Sequence, residues 1–423
     1  MQDSNRFSIV RVLTYIGPGV LVAATGVGAG DLATATFTGN KLGVAILWAV
    51  LLGAFLKFVL NEGLARWQLA TGETLLEGAL DRLSKPARYI FLPYLLMWSF
   101  FVGSALISAC GVAMHAIVPV FDEAVHGKVV FGIVHSLLGV VLVLLGGFAL
   151  FETVMSVCIG IMFVVVLITA AVICENWGGV IQGIFVPSIP QLEGGGLGWT
   201  VALMGGVGGT LTILCYGYWM RETSREGEGA LKICRIDLGF AYVATAIFGV
   251  AMVIIGGAIP ESLEGKGATL VVNLANALQA ELGTVGKWAF LVGAWAAIFS
   301  SLFGVWQSVP YIFADFLRLV RQSNGSGESI VNTSSWAYRG YLIAIATVPM
   351  AGLFVNFATI QKVYAIFGAL FMPILAVVLL ILNGRRSWVQ DYCNRPITVV
   401  ILIATLAIFL FFGYLELQRK LGF

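Results

Sequence analysis

Charge is what this sequence has least of: 11% of its 423 residues are Asp, Glu, Lys or Arg, while 59% are hydrophobic. Soluble domains devote about a quarter of their residues to charge, so a large soluble fold is excluded. The net charge of +2 leaves no basic excess of the kind that nucleic-acid binding requires. Six cysteines (Cys110, Cys158, Cys174, Cys215, Cys234 and Cys393) are scattered, mostly inside apolar runs, with neither CxxC spacing nor a disulfide framework. Packing is the expected role of each. There is no HExxH, no nucleophile beside a base, no phosphate loop and no polar segment long enough for a soluble domain. These absences argue against an enzyme or a non-transporting receptor, and no cofactor is expected.

What the sequence does have is long apolar runs, reflected in a mean hydropathy of +0.95. Runs of roughly 20 such residues match the thickness of a bilayer core and predict a polytopic helical membrane protein. Eleven spans are expected, near 13–39, 42–68, 89–119, 129–150, 153–174, 199–220, 236–259, 286–317, 338–356, 361–382 and 396–416. The N-terminal MQDSNRFSIVRV carries Arg6 and Arg11 without a small-residue cleavage site, so the first span is read as retained. With the N-terminus placed in the cytoplasm, fifteen basic residues fall on the inner side and seven on the outer. The positive-inside rule favours that orientation and an odd number of spans. The segments RETSREGE (221–228) and QSNGSGES (322–329) are inner loops and QLEGGGLG (191–198) an outer one, so residues 1–423 are expected to form one membrane domain. Short loops and an uncleaved first span suit a bacterial inner membrane.

Inside the first span lies ATGVGAGDLAT (24–34), and inside the sixth MGGVGGTLTIL (204–214). The two glycine clusters are five spans apart, an odd number, so the second copy crosses in the opposite sense. Paired glycine-interrupted spans in an inverted repeat point to a substrate site, although small residues also serve close helix packing. Each glycine weakens a helix by about 1 kcal/mol relative to alanine, and unwinding would free carbonyls as ligands. Asp31 follows the first cluster, and a carboxylate in mid-membrane calls for a cation or a donor. After the second cluster come Thr210, Thr212, Cys215, Tyr216 and Tyr218. Asp31, Thr212 and Tyr216 are the candidate substrate contacts. Glu62 is a candidate coupling group, or else an i,i+4 partner of Arg66. His115 and His135 are expected to be packed or interfacial.

At these residues the sequence resembles the Nramp family of divalent-metal transporters. The clearest parts are GPGVLVAATGVGAGDLATATFTGNKLG (17–43), LARWQLATGETLLEGALD (64–81), ALKICRIDLGFAY (230–242) and FSSLFGVWQSVPYIFADFL (299–317). The resemblance implies an all-α, LeuT-like bundle of two inverted five-span repeats, about 13–174 and 199–382, with an accessory span near 396–416. It also implies a central site between spans one and six. The family usually reads Asp-Pro-Gly-Asn where this chain has Gly28, Ala29, Gly30 and Asp31, and Met-Pro-His where it has Thr212, Ile213 and Leu214. The usual aspartate position is thus Gly28, and the soft sulfur ligand is replaced by a hydroxyl. The backbone ligands implied by the family map to Thr25 and Gly209. Proton coupling through third-span acids is not expected, since FFVGSALISACGVAMHA (100–116) has no carboxylate.

Two functions compete, with a divalent cation as the first expectation and a non-metal solute as the alternative. One is transport of a hard divalent cation, Mg²⁺ or Mn²⁺, held by Asp31 and Thr212 with carbonyls, partly hydrated in the room left by Gly28. The other is transport of a non-metal polar or organic solute, with Tyr216, Tyr218, Trp219, Trp306 and Phe371 as an aromatic enclosure. Asp31 would then pair with an ammonium or a coupling ion. Charged pairs between Arg235 and Asp237 and between Asp315 and Arg318 are expected at helix ends or gates.

Overall fold

Apolar runs this long leave the backbone no partner but itself, and the chain answers with helix after helix. The computed structural model describes residues 17–83, 86–227, 229–259, 270–321 and 331–421. Arg6, Arg11, Lys85, Lys266 and the segment 322–329 lie outside the described residues. Nine described segments are long and apolar enough to cross a membrane. Two of them each hold two crossings. Gly43 (φ +66°) divides residues 31–71, and Gly147 (φ +59°) divides the helix Ala124–Ile173. Divided at these glycines, the nine segments give eleven helical stretches at the positions that the hydropathy predicts.

Local signals set the ends. The second span, Leu47–Thr71, stops at Gly72 in the left-handed conformation. The following helix, Leu75–Arg82, starts with a reciprocal capping box between Thr74 and Glu77. Asn356 caps the tenth span by accepting from the amides of Ala358 and Thr359.

The first and sixth spans depart from the regular α-helix in their central stretches. The sixth consists of Leu197–Gly206, a non-helical stretch at 207–210, and then Leu211–Leu214 leading into Cys215–Glu222. Within its most apolar stretch 94% of residues are buried, against 22% in the eleventh span, Pro396–Leu421, so the sixth is central and the eleventh peripheral. The seventh span, Ala230–Gly257, packs on the first and second, and the eighth, the latter part of Leu270–Arg321, on the third, fourth and fifth.

The first span differs from the expected unwound helix. It runs as an α-helix over Pro18–Gly26, widens to a π-helix over Val27–Thr34, and resumes as Ala35–Leu42. A π-helix keeps backbone hydrogen bonds, with i→i+5 spacing. The glycines are thus spent on widening the helix rather than on freeing its carbonyls.

Candidate functional site

Gly208 (φ +75°) and Gly209 (φ +84°) make the break in the sixth span, in a backbone conformation that side-chain-bearing residues avoid. The reversal leaves the carbonyls of residues 205–209 without helical donors and turns the Gly208 amide toward the first span. That amide donates to both oxygens of Asp31, at 3.2 and 3.3 Å. Asp31 is completely buried.

The carbonyls have a partner that the sequence reading did not single out. Lys57, in the middle of the second span and fully buried, donates from Nζ to Gly205 O at 2.7 Å and to the carbonyls of Val207 and Gly209. Lys57 and Asp31 thus engage the same break, the first through its carbonyls and the second through the Gly208 amide. A membrane-buried ionisable residue is by default a functional candidate. Lys57 and Arg66 are the two basic residues that the inside-outside sorting leaves within a span.

The space beside Gly28 is closed as well. A Cβ there would lie 2.6 Å from Ser301 and 3.0 Å from the Ala297 carbonyl. Ser301 of the eighth span accepts from the Gly28 amide at 2.6 Å and donates to Ala24 O at 2.9 Å. The room expected there for a hydrated ion is therefore filled. Gly26 is equally committed, since its Cβ would fall 2.3 Å from the Gly209 nitrogen. Gly26→Ala should lower stability by about 1–3 kcal/mol through overpacking, read as a drop in the thermal midpoint of the detergent-purified protein. An unchanged midpoint would mean that the two spans can part at no cost.

The other candidates fall around this centre in different ways. Thr212 accepts from the Thr210 amide at 3.4 Å, within the break itself. Thr210 in turn accepts from Trp98 Nε1 at 2.8 Å. The Thr25 hydroxyl bonds back to Leu21 O at 2.6 Å, in the last turns of the α-helical part. Tyr216 is not brought to Asp31: its hydroxyl donates to Asp237 at 3.1 Å. The expected aromatic enclosure does not assemble either. Tyr218 bonds Asp315, Trp219 bonds Gln307, Trp306 bonds Ser136 O, and Phe371 stacks on Tyr94. Two buried oxygens near the centre, Asn61 Oδ1 and Thr245 Oγ1, lack a hydrogen-bond partner. Asn61 is one turn beyond Lys57, and Thr245 packs against Gly208.

At the basic end of the bundle the site is sealed by ion pairs. Asp237 accepts from the amides of Gly17 (3.1 Å) and Gly19 (2.8 Å) and pairs with Arg225 at 2.5 Å, tying the start of the first span to the seventh. Glu77 pairs with Arg221 (2.5 Å) and Arg318 (2.6 Å), and Arg318 also holds Asp315. The expected Arg235–Asp237 pair does not form, because Arg235 instead joins Glu62 at 2.7 Å. Glu62 also binds Arg66 at 2.8 Å, as the i,i+4 spacing suggests. His135 accepts from Trp295 Nε1 at 2.9 Å, which fits a packed histidine. The six cysteines are all free thiols.

The sequence profile described as "Natural resistance-associated macrophage protein-like" matches residues 19–417. The chain belongs to the Nramp family. Among curated relatives, the divalent metal cation transporter MntH of Aeromonas hydrophila is 24% identical, with 91% of each chain covered. An uncharacterized protein of Pasteurella multocida is 25% identical over 81% of this chain and 77% of its own. Among solved structures, the Eremococcus coleocola manganese transporter superposes with a TM-score of 0.76 at 17% identity, covering 99% of this chain and 89% of that one. MhsT in complex with L-phenylalanine follows at 0.64, with 16% identity over 95% and 98% of the two chains. The Nramp chain thus has the LeuT-like fold, two inverted five-span repeats with an eleventh span, and is an integral membrane transporter rather than an enzyme.

Proposed function

We propose that this Nramp protein carries a small polar solute across the membrane by alternating access and that a free divalent metal ion is not its cargo. The observation that carries this reading is the ammonium of Lys57 on the three carbonyls of the sixth-span break. Those oxygens are the ones a hard cation would need. Lys57 and Asp31 also cancel in charge, so a divalent ion placed between them would bring two uncompensated charges into a buried site, at a cost of several kcal/mol per ion. The unpartnered oxygens of Asn61 and Thr245 suit hydrogen-bond donors on a neutral or zwitterionic solute.

The first and sixth spans move against the remaining helices in this reading, and the Asp237 and Glu77 pairs part to open the basic end. The fifteen-to-seven distribution of basic residues supports a cytoplasmic basic end and N-terminus, and a bacterial inner membrane remains the proposed location.

A second reading retains Mg²⁺ or Mn²⁺ as cargo. It is favoured by the Aeromonas relative, a divalent metal cation transporter aligned over 91% of each chain, and by the buried carboxylate of Asp31. Uptake of both ions into proteoliposomes, with the Aeromonas protein as positive control, separates the two. The expected result is no accumulation above empty liposomes. Saturable uptake of either ion by the wild-type chain would overturn the polar-solute reading.

A further inference from the structure

We propose that Lys57 is a built-in cation: its ammonium takes the place of an ion at the sixth-span break, so that removing it creates a binding site for a free monovalent cation. This rests on the polar-solute reading above and extends it to the reason the site needs no metal.

Geometry comes first. Three carbonyl oxygens, those of Gly205, Val207 and Gly209, converge on one nitrogen, and the side chain that delivers it comes from a different span. Backbone carbonyls converging on one point in a membrane are an arrangement for a dehydrated cation. An ammonium has three N–H donors and no acceptor, so three carbonyls saturate it. It needs no further ligand from the solute or from water.

Charge selects the ion. Asp31 binds the Gly208 amide inside the same break and is fully buried. With Lys57 present the centre is neutral. Without it one negative charge and three free carbonyls remain, and a single positive charge on a hard, oxygen-loving ion restores neutrality. Na⁺ meets both conditions, whereas a divalent ion would reverse the charge. In the intact protein the transport cycle therefore runs without dissolved Na⁺, the positive charge being covalently attached and unable to leave with the cargo.

The test uses the full-length chain purified in detergent, as wild type, Lys57→Met and the charge-balanced double variant Asp31→Asn/Lys57→Met. Each is assayed for ²²Na⁺ retention and for thermal midpoint in sodium chloride and in choline chloride. Lys57→Met is expected to retain Na⁺ at about one ion per chain and to melt several degrees higher in sodium than in choline, by mass action. Wild type and the double variant should do neither. A Lys57→Met protein that folds but ignores Na⁺ would overturn the proposal. So would equal collapse of the single and double variants in both salts, which would assign Lys57 to packing through its aliphatic stem. A single variant recovered only in sodium would support it. Mn²⁺ uptake by wild type, by contrast, would remove the polar-solute reading on which the inference stands, and that outcome is visible in a different assay.

Discussion

Asp31→Ala should be among the most damaging single substitutions in this protein. It removes the acceptor of the buried Gly208 amide together with the negative charge that balances Lys57 across the break, and leaving a buried donor unpaired costs about 1–3 kcal/mol. Removing the partner charge as well should return much of that loss, since a neutral centre has no desolvated charge to support. A cycle of Asp31→Ala, Lys57→Met and the double variant, melted in choline chloride, is expected to show a favourable coupling of about 1–3 kcal/mol. Stability losses that simply add would mean that the two side chains act independently, despite meeting at the same break. Uptake of any solute that the wild-type protein accumulates should fall to background in Asp31→Ala, and survival of uptake would take Asp31 out of the transport mechanism.

The second large effect is expected at the basic end. Asp237 accepts from Arg225, Tyr216 and the amides of Gly17 and Gly19 at once. Its carboxylate is the tie between the start of the first span and the seventh. Asp237→Ala releases all of them, and a loss of about 3 kcal/mol from the closed state shifts the ratio of closed to open roughly a hundredfold. Cys234 reports on this opening because its thiol lies against Tyr216 and Arg225 and is fully buried. A polar maleimide should label it far faster in the variant than in wild type. Cys110, buried in the third span, should stay protected in both. Labelling of Cys110 as well would indicate general unfolding. Unchanged protection of Cys234 would reduce Asp237 to a structural role.

Much of the architecture was legible one residue at a time. The hydropathy marks the spans because a bilayer sets their length, and the apolar helices of the described residues fall where it places them. The break in the sixth span was legible because two adjacent glycines in a helix interior are costly unless the chain turns there. The Glu62–Arg66 pair followed from helical spacing alone. The same reasoning overreached in the first span, where a similar glycine cluster widens the helix instead of breaking it. Composition cannot distinguish the two outcomes. The choice depends on what packs alongside, here Ser301 against Gly28 and the Gly208–Gly209 backbone against Gly26.

Composition, hydropathy and motif were enough for a helical membrane protein with the Nramp pattern, a broken sixth span and a carboxylate at Asp31. The sequence also contained the warning at Lys57, a cation in the middle of an apolar run, but not its meaning. It took the packing of the bundle to place this ammonium on carbonyls about 150 residues away in sequence, Ser301 beside Gly28, and Tyr216 in the basic-end cluster rather than the centre. The physical reason is the same in each case. Span membership is a one-dimensional property set by transfer from water, whereas the partner of a buried polar group is whatever distant backbone or side chain the packing of the bundle brings within hydrogen-bond reach.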